Sequence, residues 1–89
     1  MITDEILNEF LTYLEKSIIN LSKEVFANLE FDGGVEGAIN FLESQFDIRL
    51  ENLLVGKNSS INHLESGTKN KIIQRKQKIL EQISNQYKN

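Results

Sequence analysis

Apolar residues recur every three or four positions through most of this chain, the spacing of one face of an α-helix. In the first thirty positions they form a single stripe: Leu7, Phe10, Leu11, Leu14, Ile18, Leu21, Val25 and Leu29. The spacing returns in residues 35–55 and 68–87, strand-like alternation is hard to find, and proline is absent. The pattern predicts an all-α fold, a small antiparallel bundle of three or four helices. A chain of 89 residues is the size of one domain, so we expect residues 1–89 to form a single domain.

Capping and turn residues place the first two helices. Thr3 is a suitable N-cap, and we expect the first helix to run from there to about Glu30. A turn is predicted at residues 32–34, because glycine supplies the left-handed backbone that ends a helix. A second helix begins near Val35. Residues 35–55 form either one helix or two, since Asp47 is also a possible cap.

The remaining third of the chain contains a loop and a last helix. Residues 56–60 have loop composition, and a helical turn is expected at residues 61–65. The last helix is predicted from about Thr68, with a possible break at residues 66–67. Residues 85–89 are expected to fray, as chain ends commonly do.

The net charge of −3 is unevenly distributed. Residues 1–55 contain eleven acids and three bases, a net charge of −8, whereas residues 56–89 contain two acids and seven bases, a net charge of +5. The two parts should attract each other, and complementary faces of one bundle are the favoured explanation over contacts between subunits.

Five polar residues of the second helix form what we call the acidic row: Glu36, Asn40, Glu43, Asp47 and Glu51. At 100° per residue they lie within about 80° of one another, opposite the apolar face. The row is either a solvated outer face or a docking surface for a basic partner, such as the binding cleft of a nuclease. Phe41 lies off the main apolar stripe and is the best candidate for an apolar anchor beside the row.

Two further surfaces are candidates for binding, one on the first helix and one on the last. Ile19 and Phe26 lie seven residues apart, opposite the stripe of the first helix, and predict either self-association as a homodimer or a core that wraps this helix on both sides. The last helix is basic, and its cations are Lys69, Lys71, Arg75, Lys76 and Lys78. Nucleic-acid binding through this helix is a weaker alternative, because the chain is acidic overall and no aromatic residues separate these bases. Lys76 falls within the apolar stripe and is expected to pair with an acid of a neighbouring helix.

Several classes of function lack the residues that they need. There is no cysteine, and His63 is the single histidine, so a thiolate metal site and a two-histidine zinc site within the chain are excluded. No acid, base and nucleophile set converges, so we expect no enzyme, no cofactor and no metal site. The longest apolar run, residues 53–55, is far below the roughly 20 residues that span a bilayer. A cytoplasmic protein that does not bind membranes is expected.

One segment resembles a known family. Residues 34–39, followed by Leu42 and Phe46, resemble the Gly-Glu-Ala-Leu core of small, acidic, all-helical immunity proteins, the Maf type among them, which neutralise polymorphic toxins of bacterial competition systems. The likeness covers about residues 20–55. It implies tight binding to a cognate toxin, often a nuclease.

The leading hypothesis is therefore a protein-binding inhibitor that occludes a toxin through the acidic row, with Phe41 as anchor. The alternatives are a phage or plasmid accessory protein that binds nucleic acid and a structural self-assembly subunit.

Overall fold

A computed structural model describes residues 2–28 and 34–87 of the chain. In these ranges it contains three α-helices and one short 3-10 turn, and no strand. The helices are α1 (Asp4–Ala27), α2 (Gly34–Val55) and α3 (Ser66–Tyr87), and the 3-10 turn is Ile61–His63. The prediction of a small all-α bundle is confirmed.

Contacts between the helices define their directions. From α1 to α3, Asp4 contacts Lys71 and Phe26 contacts Tyr87, so these two helices run parallel. Between α2 and α3 the order reverses, because Asp47 contacts Lys76, whereas Val35 and Ile39 lie beside Ser84. The bundle is therefore up-down-up, with α2 antiparallel to both neighbours, and it measures 40 × 20 × 19 Å.

The first helix begins as its sequence predicts. Thr3 has extended backbone, and its Oγ1 accepts a hydrogen bond from the backbone N–H of Ile6 at 3.1 Å. The helix ends at Ala27, where the N–H of Asn28 donates to the carbonyl of Val25. It is thus shorter than predicted, and Glu30 itself lies outside the described residues.

Replacing Thr3 with alanine should lower the free energy of unfolding by about 1 kcal/mol, because the first turn loses its side-chain acceptor. Urea denaturation followed by circular dichroism measures this loss. Thr3→Ser keeps a hydroxyl and should recover most of the stability. Thr12→Ala, at an exposed mid-helix position, is the matched control and should change stability by no more than about 0.5 kcal/mol. Equal losses at positions 3 and 12 would contradict the cap.

Residues 34–55 form one continuous helix, which resolves the choice between one helix and two. Its first residue, Gly34, has φ +60°, a left-handed conformation that favours glycine. The rest of the turn predicted at residues 32–34 lies outside the described residues. The helix is closed by Asn58 at φ 58°, whose N–H donates to the carbonyl of Val55, while the N–H of Ser59 donates to that of Leu54. These two bonds form a Schellman motif, with asparagine rather than glycine in the left-handed position.

The third helix is longer than predicted at both ends. It starts at Ser66, so Gly67 lies inside its first turn and no break occurs there. At the other end, residues 85–87 are helical, although fraying was expected. Tyr87 explains the difference, because its ring stacks on that of Phe26 with centroids 4.2 Å apart and planes 5° from parallel. Stacking against α1 anchors the last turn of α3.

The buried core draws on one face of each helix. It comprises Leu7, Leu11, Leu14, Ile18, Val25 and Phe26 of α1, Ala38, Leu42, Phe46, Leu50 and Leu54 of α2, and Ile72, Ile79 and Ile83 of α3. One polar residue, Ser22, is buried among them, and its hydroxyl donates to the carbonyl of Ile19 at 2.6 Å. The hydroxyl of Ser22 is therefore satisfied within its own helix.

Candidate protein-binding surface

The acidic row lies along α2 but does not face solvent as one ridge. Glu36 and Asn40 are exposed, whereas Glu43, Asp47 and Glu51 are half-buried. The exposed members belong to the first two turns of the helix. The half-buried members follow them along the helix, beside Lys76 of α3 and the segment that precedes α3.

Lys76 of α3 occupies the middle of the row. Its Nζ lies 3.1 Å from Asp47 Oδ1 and 3.3 Å from Glu43 Oε2, and its side chain is 16% exposed. Glu43 and Asp47 are four residues apart, so their carboxylates lie on adjacent turns and a single ammonium group can bind both. The expectation that Lys76 pairs with an acid of a neighbouring helix is confirmed.

Glu51 binds the segment that connects α2 to α3. Its Oε1 accepts a hydrogen bond from the backbone N–H of Ile61 at 3.3 Å, at the start of the 3-10 turn. Three acids of the row thus have contacts inside the molecule. The expectation of one outward-facing acidic ridge is corrected, because α3 and the connection to it cover this side of α2. The partner-binding role assigned to these residues stays a prediction.

A different face of α2 presents apolar side chains to solvent. Ile48 is 53% exposed and Val55 is 60% exposed. Together with Phe41 they are spaced seven residues apart along the helix. Successive heptad positions drift by only about 20°, so the three residues lie within about 40° of one another. We call Phe41, Ile48 and Val55 the outer face of α2. The seven-residue spacing was the signal in the sequence that could have identified Ile48 and Val55.

Phe41 differs from the other two members of this face. Its side chain is half-buried and packs against the core. Phe41 therefore links the outer face to the core, while Ile48 and Val55 present most of the exposed apolar surface.

The basic helix is also largely engaged within the molecule. Besides Lys76, Arg75 binds Glu15 through Nη2 and Nε, both 3.0 Å from Oε1, and Lys71 Nζ lies 3.7 Å from Asp4 Oδ2. Three of the five bases proposed for nucleic-acid binding are therefore paired with acids of α1 and α2. Within the described ranges, Lys69 and Lys78 form no ion pair.

The two residues predicted for self-association, Ile19 and Phe26, both pack against the core. Phe26 is 8% exposed and is covered by Tyr87 of the same chain, and Ile19 is half-buried and packs against the core. For Phe26 this agrees with the alternative of a core that wraps the first helix on both sides, because Tyr87 of α3 covers its ring. The homodimer stays a prediction, and of these two residues only Ile19 keeps appreciable exposed surface.

No family model matches this chain, and no curated protein or solved structure is significantly similar to it. The resemblance to immunity proteins therefore stays a prediction. His63, the one histidine, is exposed in the 3-10 turn. Across residues 2–28 and 34–87, no helix combines the length and apolar character that a membrane span requires.

Proposed function

We propose that this chain is a non-catalytic, protein-binding inhibitor, most concretely an immunity-like protein that occludes a cognate toxin, and that it binds through the outer face of α2. The observation that carries the proposal is the exposure of Ile48 and Val55 on one side of a long, fully folded helix. Covering the exposed half of each side chain would contribute about 1 kcal/mol. Apolar residues in line on a helix are typical anchors for a partner groove.

Charges near the outer face would orient the partner. Glu36 and Asn40 are exposed on the first turns of α2, and about half of the Glu43 and Asp47 side chains remains accessible beside Lys76. Rim charges of this kind chiefly affect the association rate and the choice of partner. In this mechanism the outer face supplies the lasting contact, and the exposed part of the acidic row steers a basic partner toward it.

A photo-crosslinking residue at position 48 or 55 tests the proposal. In lysate of the producing cells we expect it to capture one protein, whose isolated activity falls to background when one equivalent of the unmodified chain is added. The double variant Ile48→Lys/Val55→Lys should bind that protein about 100-fold more weakly, since two charged groups would be placed against an apolar groove.

Ile73→Lys is the matched control, because Ile73 is 45% exposed on α3 and receives the same substitution away from the outer face. It should leave affinity nearly unchanged. Crosslinking only to further copies of the chain would instead favour a self-assembly subunit. Equal losses of affinity from the α2 and α3 variants would remove the outer face from the proposal.

A further inference from the structure

An open groove of about 490 Å³ lies between the outer sides of α1 and α2. Its polar lining consists of Tyr13, Lys16, Ser17, Asn20, Glu24 and Arg49. A second shallow depression along α1 shares Tyr13 and Lys16 with it and ends at Glu5 and Glu9. The two depressions thus form a trough with bases at its centre and acids toward both ends.

Arg49 is the distinctive residue of this groove. It is half-buried, and its Nη1 donates a hydrogen bond to the hydroxyl of Ser17. No carboxylate of the described residues pairs with it, and its other N–H groups donate to no acceptor there, whereas Arg75 binds Glu15 at 3.0 Å. A guanidinium group is suited to bind a carboxylate through two parallel hydrogen bonds, and Ser17 fixes one edge of this group while other donors remain available.

Tyr13 and Lys16 complete the site. Tyr13 is 59% exposed on the edge of the groove, and Lys16 is exposed and forms no ion pair within the described ranges. Tyrosine and arginine, together with tryptophan, are enriched at the energetic centre of protein interfaces.

The charge balance of the groove selects its ligand. Two bases and one acid, Glu24, line it, and Glu5 and Glu9 lie beyond Tyr13. A polyanion such as nucleic acid would extend onto these acids and be repelled, whereas one carboxylate at Arg49 and Lys16 would not. We propose that the groove receives a single aspartate or glutamate side chain of the protein partner. The inference rests on the proposed function and names the chemistry of that partner.

Titration with designed peptides tests the groove without the natural partner. The probe is an alanine-based peptide of about 16 residues, long enough to form a helix, with one central glutamate and a lysine near each end. Amide and arginine side-chain NMR signals report binding. We expect saturable shifts at Arg49 Nε–H, Ser17 and Tyr13, and about tenfold weaker binding when the central glutamate is replaced by glutamine.

Variants of the protein locate the contact. Arg49→Gln should weaken binding of the glutamate peptide about tenfold, and Arg49→Lys should lose part of the affinity, because lysine keeps the charge without the planar fork. Lys78→Gln removes an exposed base of α3 and should change nothing. Circular dichroism confirms that each variant is folded.

Equal affinities for the glutamate and glutamine peptides, no saturable shift up to about 1 mM peptide, or tighter binding of a short oligonucleotide in the groove would overturn the inference. The proposed function can fail separately. If a captured partner is inhibited equally by wild type and Arg49→Gln, the inference is wrong while the inhibitor proposal stands.

Discussion

Phe46→Ala should lower the free energy of unfolding by about 3–5 kcal/mol. Phe46 is 1% exposed at the centre of α2, in the core that all three helices share. Truncation removes buried apolar surface and leaves a cavity that helices fixed on both sides cannot fill. Because the whole domain is expected to be stable by only about 4–13 kcal/mol, this one change should remove a large part of its stability.

Ile48→Ala is the matched control, two residues further along the same helix. Ile48 is more than half exposed, so its truncation should change the free energy of unfolding by no more than about 0.5 kcal/mol. Urea denaturation followed by circular dichroism measures both variants. Similar losses at positions 46 and 48 would mean that the outer face of α2 is buried in solution.

Lys76→Glu should lower the free energy of unfolding by about 2–4 kcal/mol. The lysine side chain is 16% exposed between two carboxylates, so the substitution places a third carboxylate against Glu43 and Asp47 in a poorly solvated position. The loss should shrink in about 1 M NaCl, because the screening length falls to about 3 Å. Lys76→Met should cost much less, since both partner carboxylates are about half exposed and can be hydrated.

Lys78→Glu is the control for this prediction. It makes the same change of charge two residues away on α3, at an exposed position that forms no ion pair with the described residues. Its effect should stay within about 0.5 kcal/mol. Equal effects of the two reversals would mean that net charge, and not the pairing of Lys76, determines the result.

Features set by local spacing could be predicted from the sequence. Leu7, Leu11, Leu14, Ile18 and Val25 were expected on one stripe of the first helix and are all buried. The Thr3 cap depends on the first turn alone. The pairing of Lys76 followed from a lysine inside an apolar stripe and from the opposite charges of the two parts of the chain.

Features that depend on distant residues could not be predicted in the same way. Phe26 is covered by Tyr87, and Arg49 bonds Ser17, a residue 32 positions away, so no local pattern contains these contacts. The acidic row illustrates the same limit. Its residues share one side of α2, as predicted, but the spacing within α2 does not say that α3 packs against that side.

These contacts distinguish the residues of α2 that stabilise the bundle from the exposed residues proposed to bind a partner. The half-buried acids of the row bind Lys76 of α3 and the backbone of Ile61, in the segment that joins α2 to α3. Ile48 and Val55 lie on a different face of α2 and are exposed. Substitutions in the acidic row should therefore act on stability as well as on any partner. Substitutions of Ile48 and Val55 should leave stability nearly unchanged, because both side chains are more than half exposed, which makes them the cleaner probes of the proposed function.

A double-mutant cycle between Lys76 and Asp47 tests most directly whether the acidic row is paired with α3. The variants Lys76→Glu, Asp47→Lys and their combination are compared by urea denaturation. Because the two groups are 3.1 Å apart, the combined variant should be more stable than the sum of the single losses implies, by at least about 1 kcal/mol. Strictly additive losses would contradict the pairing and leave the row free to face a partner.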